Sequence, residues 1–361
     1  MRANLQIGQI GGIHILVHWT FIFLIIWIVL TELYRGGNLN SILFNLVLLV
    51  AVFFCIVLHE LGHALVAKRF HIKTEKITLL PIGGMATFKN LPKSPKKEFL
   101  VSIAGPLVNL FIAVILFLSI PARRYLQLDF NETFELLMSF TLESFLFYLF
   151  IVNVGLFVFN LIPAFPMDGG RILRALLAMT MSRVKATQIS TSVAQFMAVI
   201  FLISGLFYNP LLVIIGIFIF FSAFAENQMV KQKALLKGHT VEEAMMINMT
   251  CFKPDDSLDL AVNLILSGTE KNFIVVDNHE VKGVLYHKDI INQSNKNIMV
   301  KDVMKRNFKL LKHTDNLAEA YNLIINKKDA FIPVLKDDKI AGVIDATNLN
   351  EFLLLQSRLA Y

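Results

Sequence analysis

"CIVLHELGHALVAKRF", residues 55–70, places two histidines and a glutamate inside a run otherwise apolar enough to cross a membrane. A charged side chain at the middle of a span costs roughly 2.5–3.5 kcal/mol on insertion scales. A cluster of three ionisable groups therefore needs a compensating interaction. On a helix His59 and His63 stand at i and i+4, so both imidazoles project from one face about a turn apart. That spacing suits one tetrahedral Zn²⁺, with Glu60 between them as general base. In a soluble chain HExxH is often a chance match. In an apolar run that explanation weakens, because metal coordination supplies the interaction hydrocarbon withholds.

The rest of the chain supports a membrane setting. Of 361 residues 55% are hydrophobic, with 31 Phe and a mean hydropathy of +0.61, above the roughly 45–50% apolar content of soluble domains. The excess lies before residue 230, where six runs approach the ~20 residues that a ~30 Å hydrocarbon core requires. They fall at about 13–32, 42–67, 99–121, 139–162, 187–207 and 211–226. The first lacks a small-residue cleavage pattern and exceeds a signal h-region, so it reads as a retained span.

Basic residues orient the spans. Lys68, Arg69, Lys73, Lys76, Lys89, Lys93, Lys96 and Lys97 follow the second; Arg171, Arg174, Arg183 and Lys185 follow the fourth; Lys231, Lys233 and Lys237 follow the last. The intervening loops hold fewer, so both termini are expected in the cytoplasm. This topology accounts for the formal charge of +7, and no aromatic-basic face points to nucleic acid. Two cysteines, Cys55 in a span and Cys251 in the tail, make no disulfide framework.

A zinc hydrolase needs a third protein ligand and one position open to water. Asp168 in "NLIPAFPMDGGRIL", residues 160–173, is the candidate. Pro163, Pro166, Gly169 and Gly170 around it break the fourth span and leave backbone that must line protein or water. An ordinary helix N-cap is the competing reading of Asp168. Cys55, one turn before His59, is a rival ligand, although a small apolar packing role suits it better.

HELGH in a span with a downstream NxxPxxPxDGG resembles the site-2 protease family of intramembrane zinc metalloproteases. "LLPIGGMATF" (79–88) and "SIAGPLVN" (102–109) extend the likeness across spans two to four. The resemblance implies a protease domain over 1–230, one zinc per chain on His59, His63 and Asp168, and Glu60 as catalytic acid/base. It also implies that Asn160 hydrogen-bonds substrate backbone or the oxyanion, against the plainer reading of a polar contact between helices. "ITLLPIGGMATF" reads as two short β-segments about a Gly-Gly turn, whose Gly83–Gly84 edge could take an extended substrate, or as a plain interfacial loop. His59 and His63 lie five to nine residues before Lys68, roughly 7–14 Å from the cytoplasmic boundary at ~1.5 Å per residue. Cleavage is thus expected near the cytosolic side of the substrate's span. His14 and His18, also at i and i+4, have no acidic partner and read as interfacial anchors with Trp19.

The tail, 238–361, carries an internal repeat of about 59 residues, 238–296 and 297–361. "TVEEAMM" (240–246) aligns with "MVKDVMK" (299–305), and "SLDLAVNLIL" (257–266) with "NLAEAYNLII" (316–325). Each unit reads strand–helix–strand–strand–helix, and the pair resembles tandem cystathionine-β-synthase (CBS) domains. That likeness implies adenine nucleotide, ATP or AMP, between the repeats, with Asp289 of "GVLYHKD" on the ribose. Asn348 in "GVIDATN" departs from the aspartate, and a pair used only for dimerisation or substrate docking is the alternative.

The expected architecture is a polytopic α-helical membrane protein of about six spans followed by a cytosolic α/β CBS pair. The expected activity is cleavage of a transmembrane or membrane-associated regulator, such as an anti-sigma factor or a transcription-factor precursor. A homo-oligomer through the CBS domains is a further expectation. A CBS-regulated channel or transporter would spread polar residues along a pore, and an inactive helix binder would lack Glu60 or a ligand. Neither pattern is seen here.

Overall fold

The computed structural model describes residues 4–81, 83–88, 94–121, 140–268, 270–278, 280–293, 298–325 and 331–359. It divides into two units, Met1–Gln228 and Met229–Tyr361.

The first unit opens with a sheet. Strand β1 (Asn4–Ile10) turns through Gly11 and Gly12, at φ +58° and +89°, into β2 (Ile13–His18). Positive φ at both central residues is the two-residue hairpin geometry that glycine takes without strain. Helices α1 (Phe21–Tyr34) and α2 (Leu39–Arg69) follow, then β3 (Thr74–Leu80) and β4 (Gly83–Phe88). The strand order is β1-β2-β3-β4, with β2 and β3 parallel and the other pairs antiparallel. Among the described residues β4 pairs with β3 alone and is an edge strand.

The helices α3 (Pro95–Ser119), α4 (Leu142–Leu161), α5 (Asp168–Leu177), α6 (Arg183–Phe207) and α7 (Pro210–Leu235) complete the membrane part. Of all these, α2, α3, α4, α6 and α7 are long and apolar enough to cross a bilayer. Large apolar side chains cover their outer faces, including Phe54, Phe111, Leu118, Phe196, Phe207 and Phe221, the inverse of a soluble surface. The first expected span, 13–32, differs from expectation at its start. Its opening residues form β2, and the helix that follows, Phe21–Tyr34, has 14 residues, about 21 Å at 1.5 Å per residue. The alternating Ile13, Ile15 and Val17 satisfy strand periodicity, and Ile13 and Ile15 bury against Phe53, Val57 and Leu61 of α2.

Local chemistry sets the helix ends. The Asn38 side chain accepts from the Ser41 N–H at the start of α2, and Thr141 and Ser144 form a capping box on α4. At the end of α4 the chain leaves the helix at Ile162 and re-enters one at Asp168. The intervening Ala164, Phe165 and Met167 bury against Ala194 and Ala198 of α6 and Ile219 and Ala223 of α7.

The second unit holds two copies of one motif. The first is β5 (Cys251–Phe252), α8 (Leu258–Ser267), β6 (Phe273–Asp277), β7 (Glu280–Leu285) and α9 (His287–Ile291). After α10 (Val300–Val303) come β8 (Leu311–Lys312), α11 (Leu317–Ile325), β9 (Phe331–Lys336), β10 (Lys339–Asp345) and α12 (Ala346–Leu359). The copies exchange their leading segments: Met246 bridges Val343 of β10, and Lys305 bridges Val284 of β7. Both partners of each bridge differ by 59 in number from their counterparts in the other, so the sequence repeat is also a spatial two-fold. Gly283 and Gly342, 59 apart, permit the exchange. A Cβ there would stand 3.1 Å from Lys305 O and 2.7 Å from Met246 O respectively.

Candidate metal centre

Helix α2 presents His59 and His63 from one face, and the rings lie edge to face with centroids 4.7 Å apart. The start of α5 brings Asp168 to them across 105 residues of sequence. Met167 occupies the cap position of α5, with Asp168 in the first turn. His59 Nε2 and His63 Nε2 are 3.1 Å apart, and Asp168 Oδ2 is 3.2 Å from the first and 3.1 Å from the second. All three residues are buried. A tetrahedral ion with bonds of about 2.0–2.1 Å separates its ligand atoms by roughly 3.3 Å, so the triangle has the dimensions of a zinc site. It is the one group of three or more His, Cys, Asp or Glu among the described residues with converging ligand atoms.

Helix α3 backs the triangle at Gly105. A Cβ built there would lie 2.2 Å from His63 Nε2 and 2.6 Å from His59 Nε2. Only hydrogen leaves the ligand atoms a clear side. The outer ring nitrogens are also held by α3. His59 Nδ1 meets Asn109 Oδ1 at 2.5 Å, and His63 Nδ1 meets the Val101 carbonyl at 2.7 Å. Each bond fixes a ring's rotation and leaves its Nε2 for a metal.

Glu60, also buried, turns to the sheet, where Oε2 accepts from the Ala86 N–H of β4 at 3.0 Å. The expected Gly-Gly turn is displaced by two residues: Gly83 and Gly84 open β4, and the connection from Leu80 begins at Pro81. Tertiary packing gives the reason. A Cβ on Gly84 would stand 2.8 Å from Glu60 Cγ and 2.9 Å from Ile56 Cγ2, so β4 can lie against α2 only with glycine there.

Other expected residues make contacts of their own. Asn160 lies in the last turn of α4, and its amide donates to Leu156 O at 3.0 Å. Cys55 is buried and accepts weakly from Asn153 Nδ2 at 3.4 Å, outside the ligand group. His14 and His18 fall on β2, where four residues span about 13 Å. His14 meets Gln6 and His18 meets Thr20.

Behind Asp168, on the same short helix, Arg174 is only 1% exposed. Its Nε donates to Glu98 Oε1 of α3 at 2.9 Å, Nη1 pairs with Glu226 of α7, and the guanidinium lies 5.1 Å from the Phe165 ring. Arg183 of α6 adds a contact of 3.1 Å to Glu98. This quartet ties α5 to three spanning helices, and sequence reading missed it. In the sequence Arg174 and Arg183 read only as orientation signals. Asn109 and Asn153, the buried amides beside His59, were likewise missed; their signal is polarity inside a span.

In the second unit Asp289 and Asn348, 59 apart, each keep a buried side-chain oxygen, Oδ2 and Oδ1, with no hydrogen-bond partner among the described residues. Lys305 Nζ is 3.6 Å from the other oxygen of Asp289.

A model of peptidase family M50 matches residues 47–204, and the CBS-domain model matches residues 241–296 and 300–355. Zinc metalloprotease MJ0392 of Methanocaldococcus jannaschii is 32% identical over 350 residues, covering 97% of this chain and 96% of that one. Stage IV sporulation protein FB of Bacillus subtilis is 30% identical over 149 residues, 41% of this chain and 44% of its own. A solved site-2 protease from Methanocaldococcus jannaschii is 35% identical, covering 62% of this chain and 95% of that one, with a TM-score of 0.45.

Proposed function

The chain belongs to peptidase family M50, as a membrane zinc metalloprotease of the site-2 type with a C-terminal CBS pair, and on that premise we propose that it cleaves transmembrane or membrane-associated regulatory proteins at the His59–His63–Asp168 centre. The observation that carries the assignment is the triangle of ligand atoms 3.1–3.2 Å on a side, with the Gly105 hollow beside it.

His59, His63 and Asp168 would hold the zinc. When bound, zinc supplies a Lewis acid for the scissile carbonyl and a water acidified toward pKa ~7. Glu60 accepts a proton as water attacks that carbonyl and returns it to the amine nitrogen as the C–N bond breaks. The Ala86 N–H keeps the Glu60 carboxylate against β4 while it does so. A substrate helix hides its carbonyls in i→i−4 bonds and must extend locally before cleavage. The edge of β4 from Gly83 and Gly84 onward, beside Glu60, suits such a segment as an added strand. Asn160, in the turn of α4 that precedes the Asp168 loop, is the donor for substrate backbone or the oxyanion.

Both termini lie in the cytoplasm under this reading, and cleavage near the cytosolic end of the substrate's span releases its cytosolic part. An anti-sigma factor or a membrane-associated transcription-factor precursor is the substrate class. The CBS pair takes adenine nucleotide and modulates the protease. Orphaned oxygens on Asp289 and Asn348, at two-fold-related positions, favour a site in each copy, although Asn348 supplies an amide where the family pattern has a carboxylate. The same pair would join two chains into a homo-oligomer.

Metal content of the detergent-purified protein tests the assignment. Wild type should carry about one zinc per chain, Asp168→Ala much less. Glu60→Gln should keep its zinc and lose proteolysis by about 10²–10⁴-fold. A zinc-free wild type after reconstitution would refute the protease reading, and equal zinc loss in Glu60→Gln would refute the role given to Glu60.

A further inference from the structure

Asn109 of α3 and Asn153 of α4 are fully buried, and the hydrolytic steps above use neither. A buried amide is costly unless its donor and acceptor faces are both matched. Their hydrogen bonds form one directed chain. It starts at the Leu149 carbonyl, which can only accept, and which takes an N–H of Asn153 Nδ2 at 2.8 Å. That bond turns Asn153 Oδ1 toward Asn109, whose Nδ2 donates to it at 2.9 Å. Asn109 Oδ1 is thereby turned to His59 Nδ1, 2.5 Å away, which must carry the proton. The lone pair of His59 is left on Nε2, where His63 and Asp168 converge.

Reversing Asn109 would present its NH₂ to Nδ1 and move the imidazole proton onto Nε2, the atom that has to ligate. It would also set Asn109 Oδ1 against Asn153 Oδ1. Asn153 could not follow, because its own oxygen would then face the Leu149 carbonyl. His63 needs no such device: its Nδ1 meets the Val101 carbonyl, a backbone acceptor that cannot reverse. We infer that Asn153 is a positioning residue that sets the polarity of Asn109, and that the pair locks His59 in the tautomer able to bind zinc. This rests on His59, His63 and Asp168 being the zinc ligands.

Chelator competition on the detergent-solubilised full chain reads zinc affinity without reference to proteolysis. Asn109→Leu should weaken zinc by about 10–100-fold, the usual effect of removing a partner behind a metal ligand. Asn153→Leu should weaken it by less, since Asn109 is kept but freed to reverse. In the double variant Asn153→Leu should add nothing, because its effect passes through Asn109. A second background removes packing from the comparison. In Asn109→Asp either carboxylate oxygen accepts the Nδ1 proton, so no polarity needs setting, and the other oxygen opposes Asn153 Oδ1 as a reversed amide would. Asn153→Leu removes that opposition, so on this background it should leave zinc affinity unchanged or raise it, the reverse of its effect in wild type. Wild-type affinity in Asn153→Leu would overturn the inference, as would a further drop on either Asn109 background. If wild type itself binds no zinc, the ligand assignment fails instead, and the two failures are distinct.

Discussion

Replacing Gly105 by alanine should empty the metal site while leaving the fold largely intact. The new methyl carbon would stand 2.2 Å from His63 Nε2, 2.6 Å from His59 Nε2 and 2.6 Å from His63 Cε1. Ordinary non-bonded contact begins near 3.5 Å, so the His63 ring must retreat by roughly 1.3 Å or α3 must back away by as much. A metal site tolerates about 0.2 Å in its bond lengths. A shift several times larger removes His63 as a ligand, and zinc affinity should fall by at least ~100-fold. The folding cost is smaller. Overpacking a core costs about 1–3 kcal/mol, and alanine recovers up to about 1 kcal/mol over glycine within a helix. Gly105→Ala should therefore purify as a folded protein with a modestly lower thermal midpoint. After dialysis against a chelator it should carry little zinc and cleave no substrate. Gly155→Ala on α4, where a Cβ meets nothing within 4 Å, is the control and should match wild type in both. About one zinc per chain together with normal cleavage in Gly105→Ala would refute the geometry argued for the site.

Arg174→Met leaves Glu98 and Glu226 buried or half-buried without their shared cation, a change worth about 3–5 kcal/mol of destabilisation for a broken buried pair. The thermal midpoint should drop and zinc should weaken with it, since α5 carries both Arg174 and Asp168; an unchanged midpoint would show that the quartet contributes nothing net. ATP or AMP at millimolar concentration should raise the midpoint of the second unit's transition in the full chain, by up to ~2.7 kcal/mol of stabilisation at a hundred times Kd. Asp289→Ala should reduce that shift more than Asn348→Ala does, and no shift in wild type would favour a CBS pair used only for assembly or docking.

What could be read from sequence alone was what is local in it. His59 and His63 share a face by spacing, and Asp168 stands in a stretch whose prolines and glycines cannot continue a helix. The 59-residue repeat is likewise visible as text, and the reciprocal bridges at Met246 and Lys305 are its spatial counterpart. What escaped depends on partners distant in the chain. Residues 13–18 continue the apolar run of α1 and merge with it in a hydropathy reading. The Gly11–Gly12 pair between alternating runs was the available hairpin signal. The strand's parallel partner is β3, some sixty residues on. Gly83 and Gly84 looked like a turn because glycine usually marks one, whereas Gly84 is small so that Glu60 can approach. Gly105 and Asn109 sit within "SIAGPLVN", but their purpose becomes visible only once α2 lies against them.

The arrangement also accounts for three ionisable groups in an apolar helix. Val101, Gly105 and Asn109 are spaced by four on α3, so they form one stripe of about two turns. The stripe meets the one-turn stripe of His59 and His63 in reverse order, Asn109 on His59 and Val101 on His63. Gly105 stands between, where the ligand atoms converge. The imidazoles are thus held from behind by protein, and hydrocarbon does not have to solvate them. Glu60 alone is held differently, by a backbone N–H of an edge strand. The proposed proton acceptor and the edge proposed for an extended peptide are therefore one local unit. Since β3 and β4 follow directly on α2, a short connection builds both parts together. A peptide added along β4 would arrive already beside the carboxylate proposed to take the proton, and the triangle behind it would not have to move.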